Sequence, residues 1–89
     1  MSNERTTLFE FPCDFPLKIM GNKHPDMSST IAAVVLTHAP DFDAATIEVR
    51  ESSKGTYLSL TCTVRATSQT QLDDLYRALT SHPMVKVVL

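Results

Sequence analysis

The stretch ATIEVRESSKGTYLSLTCTVRA, residues 45–66, alternates apolar and polar side chains on both sides of the tetrapeptide Ser52-Ser53-Lys54-Gly55. Alternation with a period of two is typical of a strand that buries one face, and a short turn containing glycine is typical of a β-hairpin. We therefore predict strand two over 45–51 and strand three over 56–66, with Gly55 at a positive φ in the turn. The side chains predicted to face inward are Ile47, Val49, Leu58, Leu60, Cys62, Val64 and Ala66.

Two helices are predicted on either side of this hairpin. Apolar residues recur at helical spacing over 27–39, and Pro40 ends this first helix. The second helix begins at Ser68, whose spacing from Gln71 fits a Ser-x-x-Gln capping box, and it ends before the His82-Pro83 step. Each helix has one apolar stripe, so both are expected to pack on the sheet.

The remaining strands complete the architecture. Strand one is predicted over 17–20 and strand four over 85–89, where Val88 is assigned to the outward face. The resulting βαββαβ order predicts an α+β, ferredoxin-like sandwich: a four-stranded antiparallel sheet in the order 4-1-3-2 with two helices on one face. Another strand order stays open. We expect residues 1–89 to form a single domain, with residues 1–14 as an N-terminal arm.

The composition excludes several classes of protein. The net charge is −2 and the charged residues are interspersed, so the chain has no strong attraction to nucleic acid or to an anionic membrane. No run approaches the ~20 apolar residues of a membrane span, and because no long apolar run follows the first residues we expect no signal peptide. Cys13 and Cys62 are too few for a disulfide framework. We expect a cytoplasmic protein without membrane contact.

No motif in the sequence predicts catalysis, a cofactor or a metal site. The histidines at positions 24, 38 and 82 are far apart and have no acid or cysteine at ligand spacing. The chain contains no CxxC pair, phosphate-binding loop, dinucleotide fingerprint or nucleophile elbow. An acylphosphatase of this fold would need an arginine in the first loop, where the nearest cation is Lys23. We therefore predict that the protein is not an enzyme and carries no cofactor or metal.

The loop after strand one is the first candidate binding site. It contains Gly21, Asn22, Lys23 and His24, and it leads into the N-terminus of the first helix. Free backbone N–H groups and the helix dipole attract anions at such a position, and Lys23 adds positive charge. The sequence thus indicates a carboxylate or phosphate site. The alternative is an ordinary strand-to-helix turn, in which Asp26 already occupies the positive end of the dipole.

The hairpin turn is the second candidate site. Ser52, Ser53, Lys54 and Gly55, followed by Tyr57, could contact an anion or a protein partner. The alternative is plain hairpin chemistry, in which the serines bond to local backbone and the glycine supplies the turn.

The outward face of the sheet and its edges are further candidate surfaces. The residues assigned to this face include Lys18, Met20, Arg50, Tyr57 and Ser59. An RNA-binding sheet needs several aromatic side chains on which bases stack, surrounded by basic residues. Here Tyr57 is the only aromatic residue predicted on this face, and the negative charge of Glu48 would repel RNA. The sequence therefore argues against nucleic acid and favours a protein partner or a solvated face. Strand four is apolar with the single charge Lys86, and such an edge favours pairing with another chain. We predict a homodimer through this edge strand.

Several runs of the sequence resemble the YbeD-like family of small bacterial proteins of unknown function. They are Phe11-Pro12-x-x-Phe15-Pro16-x-Lys18-x-Met20-Gly21, then His38-Ala39-Pro40, then Ser52-Ser53-Lys54-Gly55 followed by Tyr57, and finally Val87-Val88-Leu89. The resemblance extends over nearly the whole chain beyond its N-terminal tail. It implies a ferredoxin-like fold similar to the ACT regulatory domains of amino-acid-metabolic enzymes, and it implies no activity and no assigned site. ACT domains bind amino acids near the loop equivalent to residues 21–26, usually at a dimer interface.

These observations together predict a non-enzymatic regulatory or adaptor domain, which binds a small-molecule effector or a protein partner. Binding would occur at the first loop and be transmitted through an edge-strand interface. The alternative function is a nucleic-acid-associated protein that uses its open sheet face.

Overall fold

The computed structural model describes residues 10–89, and within them the elements follow the predicted order. They are β1 (Cys13–Asn22), α1 (Met27–His38), a 3-10 turn (Ala44–Thr46), β2 (Glu48–Glu51), β3 (Tyr57–Ala66), α2 (Gln69–Thr80) and β4 (Val87–Val88). The sheet has the order β2-β3-β1-β4, and every neighbouring pair is antiparallel. This is the predicted order 4-1-3-2 seen from the other edge, so the ferredoxin-like prediction is confirmed.

The core lies between the helices and one face of the central strands. In the register of β1 and β3, Leu17 pairs with Cys62 and Ile19 pairs with Leu60, and all four side chains are buried. The alternation predicted for β3 is confirmed, because every second residue from Leu58 to Ala66 is buried. The helices contribute the rest of the core, with the buried residues Met27, Ile31, Ala32, Val35, Leu72, Leu75 and Leu79.

Strand β1 is longer than the predicted 17–20, because the alternation continues toward the N-terminus. Phe11, Cys13 and Phe15 pack against the core from the helix side of the sheet. Proline at position 16 does not end the strand. The Lys18 amide donates to the Leu89 carbonyl on the β4 side (3.1 Å), and residues two apart in a strand direct their amides to the same side. Because residue 16 would also direct its amide away from β3, a proline there costs no hydrogen bond to β3. Residues 13–14 of the predicted arm therefore belong to the sheet, and its residues 1–9 lie outside the described part.

Strand β2 is shorter than the predicted 45–51. Asp43 organises the preceding residues into the 3-10 turn, since its carboxylate Oδ1 accepts from the Ala45 amide (3.0 Å) and its carbonyl accepts from the Thr46 amide (3.0 Å). Val49 does share a face with Leu60, as predicted, but it is 52% exposed rather than buried. The reason is its place at the edge of the sheet, where β3 is the one strand beside it.

Strand β4 has only two residues, and its faces are the reverse of the prediction. Val88 pairs with Ile19 and is 4% exposed, so it joins the core instead of facing outward. Val87 pairs with Met20 and takes the outward position. The Lys86 amide donates to the Met20 carbonyl (2.7 Å) and the Leu89 amide donates to the Lys18 carbonyl (2.8 Å), and these bonds hold β4 in this register. A shift of one residue along a strand exchanges all of its faces.

The start of α2 confirms half of the predicted capping box. The Ser68 hydroxyl accepts from the Gln71 amide (3.1 Å), but the Gln71 Oε1 atom accepts from the Thr67 amide (2.6 Å) and not from the amide of Ser68. The Gln71 Nε2 group donates to the His38 carbonyl at the end of α1 (2.9 Å). Gln71 therefore ties the beginning of one helix to the end of the other.

The buried thiol of Cys62 is expected to resist alkylation. Burial raises the pKa of the Cys62 thiol to about 11, and the thiolate is the reactive form. At pH 8 we expect iodoacetamide to label the half-buried Cys13 first and Cys62 only after unfolding. Peptide mass spectrometry with and without urea measures the difference. Equal labelling rates for both cysteines in the folded protein would contradict the buried position.

The same shift has a consequence for stability at high pH. The pKa of the Cys62 thiol moves from 9.0 to about 11 on folding, so the unfolded chain loses this proton first as the pH rises. The contribution of this thiol to stability is complete below pH 9.0 and is lost as the pH rises toward about 11.

Candidate functional site

The fold brings the two predicted site segments together at one end of the sheet. Asn22 at the end of β1 lies opposite Tyr57 at the start of β3. The next residue, Lys23, donates its backbone N–H to the Thr56 carbonyl (2.8 Å), and its ammonium group forms an ion pair with Glu51. The first loop and the hairpin turn are therefore neighbours, which the sequence did not reveal.

Four of the predicted site residues have structural roles that explain their identity. A Cβ atom on Gly21 would lie 2.0 Å from the Met84 carbonyl oxygen, so only glycine fits there. The His24 Nδ1 atom accepts from the Asp26 amide (3.0 Å). The Ser52 hydroxyl accepts from the amides of residues 56 (3.2 Å) and 57 (3.1 Å), and Gly55 has φ +71°. Close packing against the Met84 backbone thus accounts for Gly21, and local turn formation accounts for His24, Ser52 and Gly55, without a ligand.

The first loop has less charge available for an anion than its sequence indicated. Its lysine, Lys23, is paired with Glu51, and Asp26 precedes the first residue of α1. A carboxylate at a helix N-terminus already compensates the dipole there. The anion site at this loop stays a prediction, and its cation is engaged within the chain.

The predicted site residues that remain are Asn22, Ser53, Lys54 and Tyr57. Of these, Tyr57 is an aromatic side chain that is 47% exposed on the outward face of the sheet. It borders a shallow hollow of about 220 Å³, whose lining also includes Lys18, Met20, Arg50 and Ser59. We call these five residues the open-face hollow. The sheet has its helices on the opposite face, so this surface is uncovered within the described chain.

The register of the three strands explains how the open-face hollow is assembled. Arg50 on β2 lies opposite Ser59 on β3, which lies opposite Met20 on β1. Lys18 belongs to the next row, opposite Thr61. The sequence analysis assigned the five residues of the hollow to the outward face, but it selected only Tyr57 among them as a candidate site residue. The hairpin turn gives the pairing of β2 with β3, whereas the pairing of β1 with β3 depends on tertiary structure.

The electrostatics of the open-face hollow favour an acidic group. Among residues 10–89, Lys18 and Arg50 have no ion-pair partner, in contrast to the Arg65–Asp14 pair farther along the same face (3.2 Å). Glu51 also lines the hollow, where its carboxylate is paired with Lys23, and Glu48 lies in an adjoining depression of about 320 Å³ and offsets part of the charge of Lys18 and Arg50. The side chains of Met20 and Tyr57 add apolar surface. The site can therefore hold a small group that has one carboxylate or phosphate and an apolar part.

The described residues 10–89 contain no group of three or more His, Cys, Asp or Glu side chains placed to hold a metal ion. In the same part of the chain, no helix has the length and apolar character needed to cross a membrane.

An antiparallel βαββαβ sandwich with a polar, uncovered sheet face defines a small ferredoxin-like domain of the ACT-like type. A family model described as "Protein of unknown function (DUF493)" matches residues 6–89. The chain belongs to this family, whose curated members are called UPF0250 proteins, and the family resemblance inferred from the sequence is confirmed.

Curated relatives match along all or nearly all of the chain. A UPF0250 protein of Paraburkholderia phytofirmans is 61% identical over 89 residues, which is 100% of both chains. One from Chromobacterium violaceum is 56% identical over 89 residues, again 100% of both. A third, UPF0250 protein NE1487 of Nitrosomonas europaea, is 57% identical over 83 residues and covers 93% of this chain and 95% of its own.

Two solved structures share the fold. The solution structure of protein HP0495 from H. pylori has a TM-score of 0.77 and 11% identity, and the match covers 100% of this chain and 94% of that one. The ACT domain from GTP pyrophosphokinase of Chlorobium tepidum has a TM-score of 0.63 and 19% identity, and the match covers 85% and 84%. At these identities the likeness shows the fold alone.

Proposed function

We propose that this protein is a non-enzymatic regulatory or adaptor module, which binds a carboxylate- or phosphate-bearing effector, or a partner's acidic group, in the open-face hollow. The single observation that supports this proposal is that two cations without an ion-pair partner, Lys18 and Arg50, lie beside the apolar surface of Met20 and Tyr57. The ACT-like fold supports a regulatory role by analogy.

The shape of the open-face hollow limits the size of what it binds. Its volume of about 220 Å³ is below the ~300–1,000 Å³ of typical pockets for drug-sized ligands. A small organic acid or one acidic side chain of a partner fits this volume, and a nucleotide-sized cofactor does not. Because the hollow is shallow, water is only partly excluded and each ion pair is weakened by screening.

The proposal predicts which lysine controls binding. In an NMR titration with amino acids, dicarboxylic acids and inorganic phosphate, amide signals of Lys18, Tyr57 and Ser59 should shift with the bound compound. Replacement of Lys18 by glutamine should weaken binding about fivefold to tenfold, because one charge-assisted contact is lost. Lys86→Gln is the matched control, since Lys86 is exposed and does not line the hollow.

Three outcomes would count against the proposal. Shifts confined to Asn22, Lys23 and His24 would favour the first-loop site. An equal loss of affinity in Lys18→Gln and Lys86→Gln would indicate unspecific attraction to positive charge. The absence of shifts for every compound and for an acidic peptide at millimolar concentration would overturn the open-face hollow as the binding site.

The nucleic-acid alternative uses the same face and is tested by the same signals. Tyr57 is the one exposed aromatic side chain on the open face within residues 10–89, whereas single-stranded RNA is bound by several stacked aromatics on such a sheet. A single-stranded RNA that bound with strong salt dependence, and more tightly than the small acids, would replace the first proposal by this alternative.

A further inference from the structure

The outer edge of β2 carries unpaired backbone groups. The Ser52 amide donates to the Tyr57 carbonyl (3.0 Å), so the even-numbered residues of β2 direct their amides toward β3. The pairing between β1 and β3 agrees with this assignment. The Lys23 amide donates to the carbonyl of Thr56, an even-numbered residue, so the even-numbered residues of β3 bond to β1 and its odd-numbered residues bond to β2. The N–H and C=O groups of Val49 and Glu51 therefore point away from the sheet. Such groups are a template for a further strand.

The opposite edge is less available. Strand β4 has two residues, and the Tyr76 hydroxyl on α2 donates to the Val88 carbonyl (3.4 Å). The helix thus occupies an edge group that a new strand would need. Among the described strands, β2 is the better edge for pairing, and not β4, which the sequence analysis favoured.

A second copy of the same chain is the occupant that best fits the edge of β2. Two copies related by a two-fold axis pair their β2 strands in antiparallel fashion, and the outward amides require odd-numbered residues to bond to odd-numbered residues. Only a few registers satisfy this condition. They differ in which charged side chains come to lie opposite each other.

One register is favoured by charge and by apolar contact. With Val49 opposite Val49 of the second copy, Glu48 lies opposite Arg50 on the open face, and the same ion pair occurs twice by symmetry. With Val49 opposite Glu51, Arg50 would meet its own copy. With Glu51 opposite Glu51, two carboxylates would meet. Directly opposed like charges destabilise a strand pair, so charge disfavours the second and third registers.

We propose that the protein forms a homodimer through antiparallel β2–β2 pairing centred on Val49, with two symmetric Glu48–Arg50 ion pairs. The exposed Val49 side chain is then covered by its own copy. The two sheets become one sheet of eight strands, with both open-face hollows on the same side. The arginine has five N–H donors, so it can bind the carboxylate of the second copy and still face its own hollow. This inference does not depend on a ligand.

The dimer is expected to be weak. The pairing involves four residues from each copy, and interfaces below about 1,200 Å² are typical of transient complexes. We expect sedimentation velocity to show a concentration-dependent rise in mass, with a dissociation constant on the order of 100 μM. In the dimer, the amides of Val49 and Glu51 should exchange hydrogen more slowly as the protein concentration rises.

Charge reversal tests the register. In Glu48→Arg, two arginines oppose each other at both pairs, and in Arg50→Glu two carboxylates do so. Each variant alone should dimerise about tenfold or more weakly than the unmodified chain. An equimolar mixture of the two variants restores opposite charges at both pairs, and it should form a heterodimer as tight as the original homodimer. Lys54→Glu is the matched control, because Lys54 is exposed in the turn outside this register.

The outcomes separate this inference from the proposed function. A strict monomer at 1 mM protein, or an edge amide at Val49 with the same exchange at all concentrations, would overturn the dimer. A mixture that fails to associate although both variants keep their thermal unfolding midpoints would overturn the register. Either result leaves binding of small acids in the open-face hollow to be judged by its own titration.

Discussion

Gly21→Ala should lower the free energy of unfolding by about 3 kcal/mol, which is a large part of the stability of a domain of this size. The added Cβ would lie 2.0 Å from the Met84 carbonyl oxygen and 3.1 Å from the Met27 Cε atom. The methionine side chain can move, but the carbonyl belongs to the backbone before β4. That backbone is fixed by the bond from the Lys86 amide to the Met20 carbonyl (2.7 Å). Relief of the clash would therefore displace β4 from β1.

Urea unfolding of the variant measures this loss, and Gly55→Ala is the matched control. A Cβ at Gly55 has only the Glu51 Oε1 atom within reach, at 3.9 Å, so its cost comes from the positive φ of +71° and is about 1 kcal/mol. Equal losses of stability in the two variants would contradict the close contact between residue 21 and the Met84 carbonyl. The comparison also tests whether Gly21 serves the fold rather than a ligand, since the loss requires no bound molecule.

Leu60→Ala is expected to lower the free energy of unfolding by about 3 to 4 kcal/mol. Leu60 is fully buried in the middle of β3, between Ile19 on β1 and Val49 on β2. Its removal leaves a cavity that central strands cannot close. Such a loss combines the lost burial of the side chain with the cost of the cavity.

Val49→Ala is the matched control, because Val49 faces the same side of the sheet directly opposite Leu60. It is 52% exposed in the single chain, and we expect a loss of less than about 1 kcal/mol. Both variants should be measured at about 10 μM protein, well below the dissociation constant expected for a dimer of this small interface. A loss in Val49→Ala comparable to that in Leu60→Ala would show that a helix or another chain covers this edge.

Val49 and Leu60 also show how far sequence patterns could predict this fold. Alternation along β3 and the hairpin turn correctly assigned both residues to one face, because adjacent antiparallel strands share their faces residue by residue. Alternation gives no information on whether a helix lies above a given strand. The depth of burial at Val49 therefore had to come from the arrangement of the layers.

The candidate site was likewise predicted only in part from the sequence. The outward position of Lys18, Met20, Arg50, Tyr57 and Ser59 was predicted from parity within each strand. Their assembly into one hollow depends on the pairing of β1 with β3, which are separated by a helix and a strand along the chain. The pairing of Lys23 with Glu51 depends on it too. These contacts have no local signal in the sequence.

By itself, the sequence determined the order of elements, the antiparallel sheet and the faces of β3, because these depend on the periods of helix and strand and on local turn chemistry. Tertiary structure decided that the edge of β2 has free backbone groups and that Val88 of β4 enters the core. It also decided that position 21 requires glycine and that Lys18 and Arg50 have no ion-pair partner. Each of these depends on the distance between segments far apart in the chain, and that distance is set by packing and register.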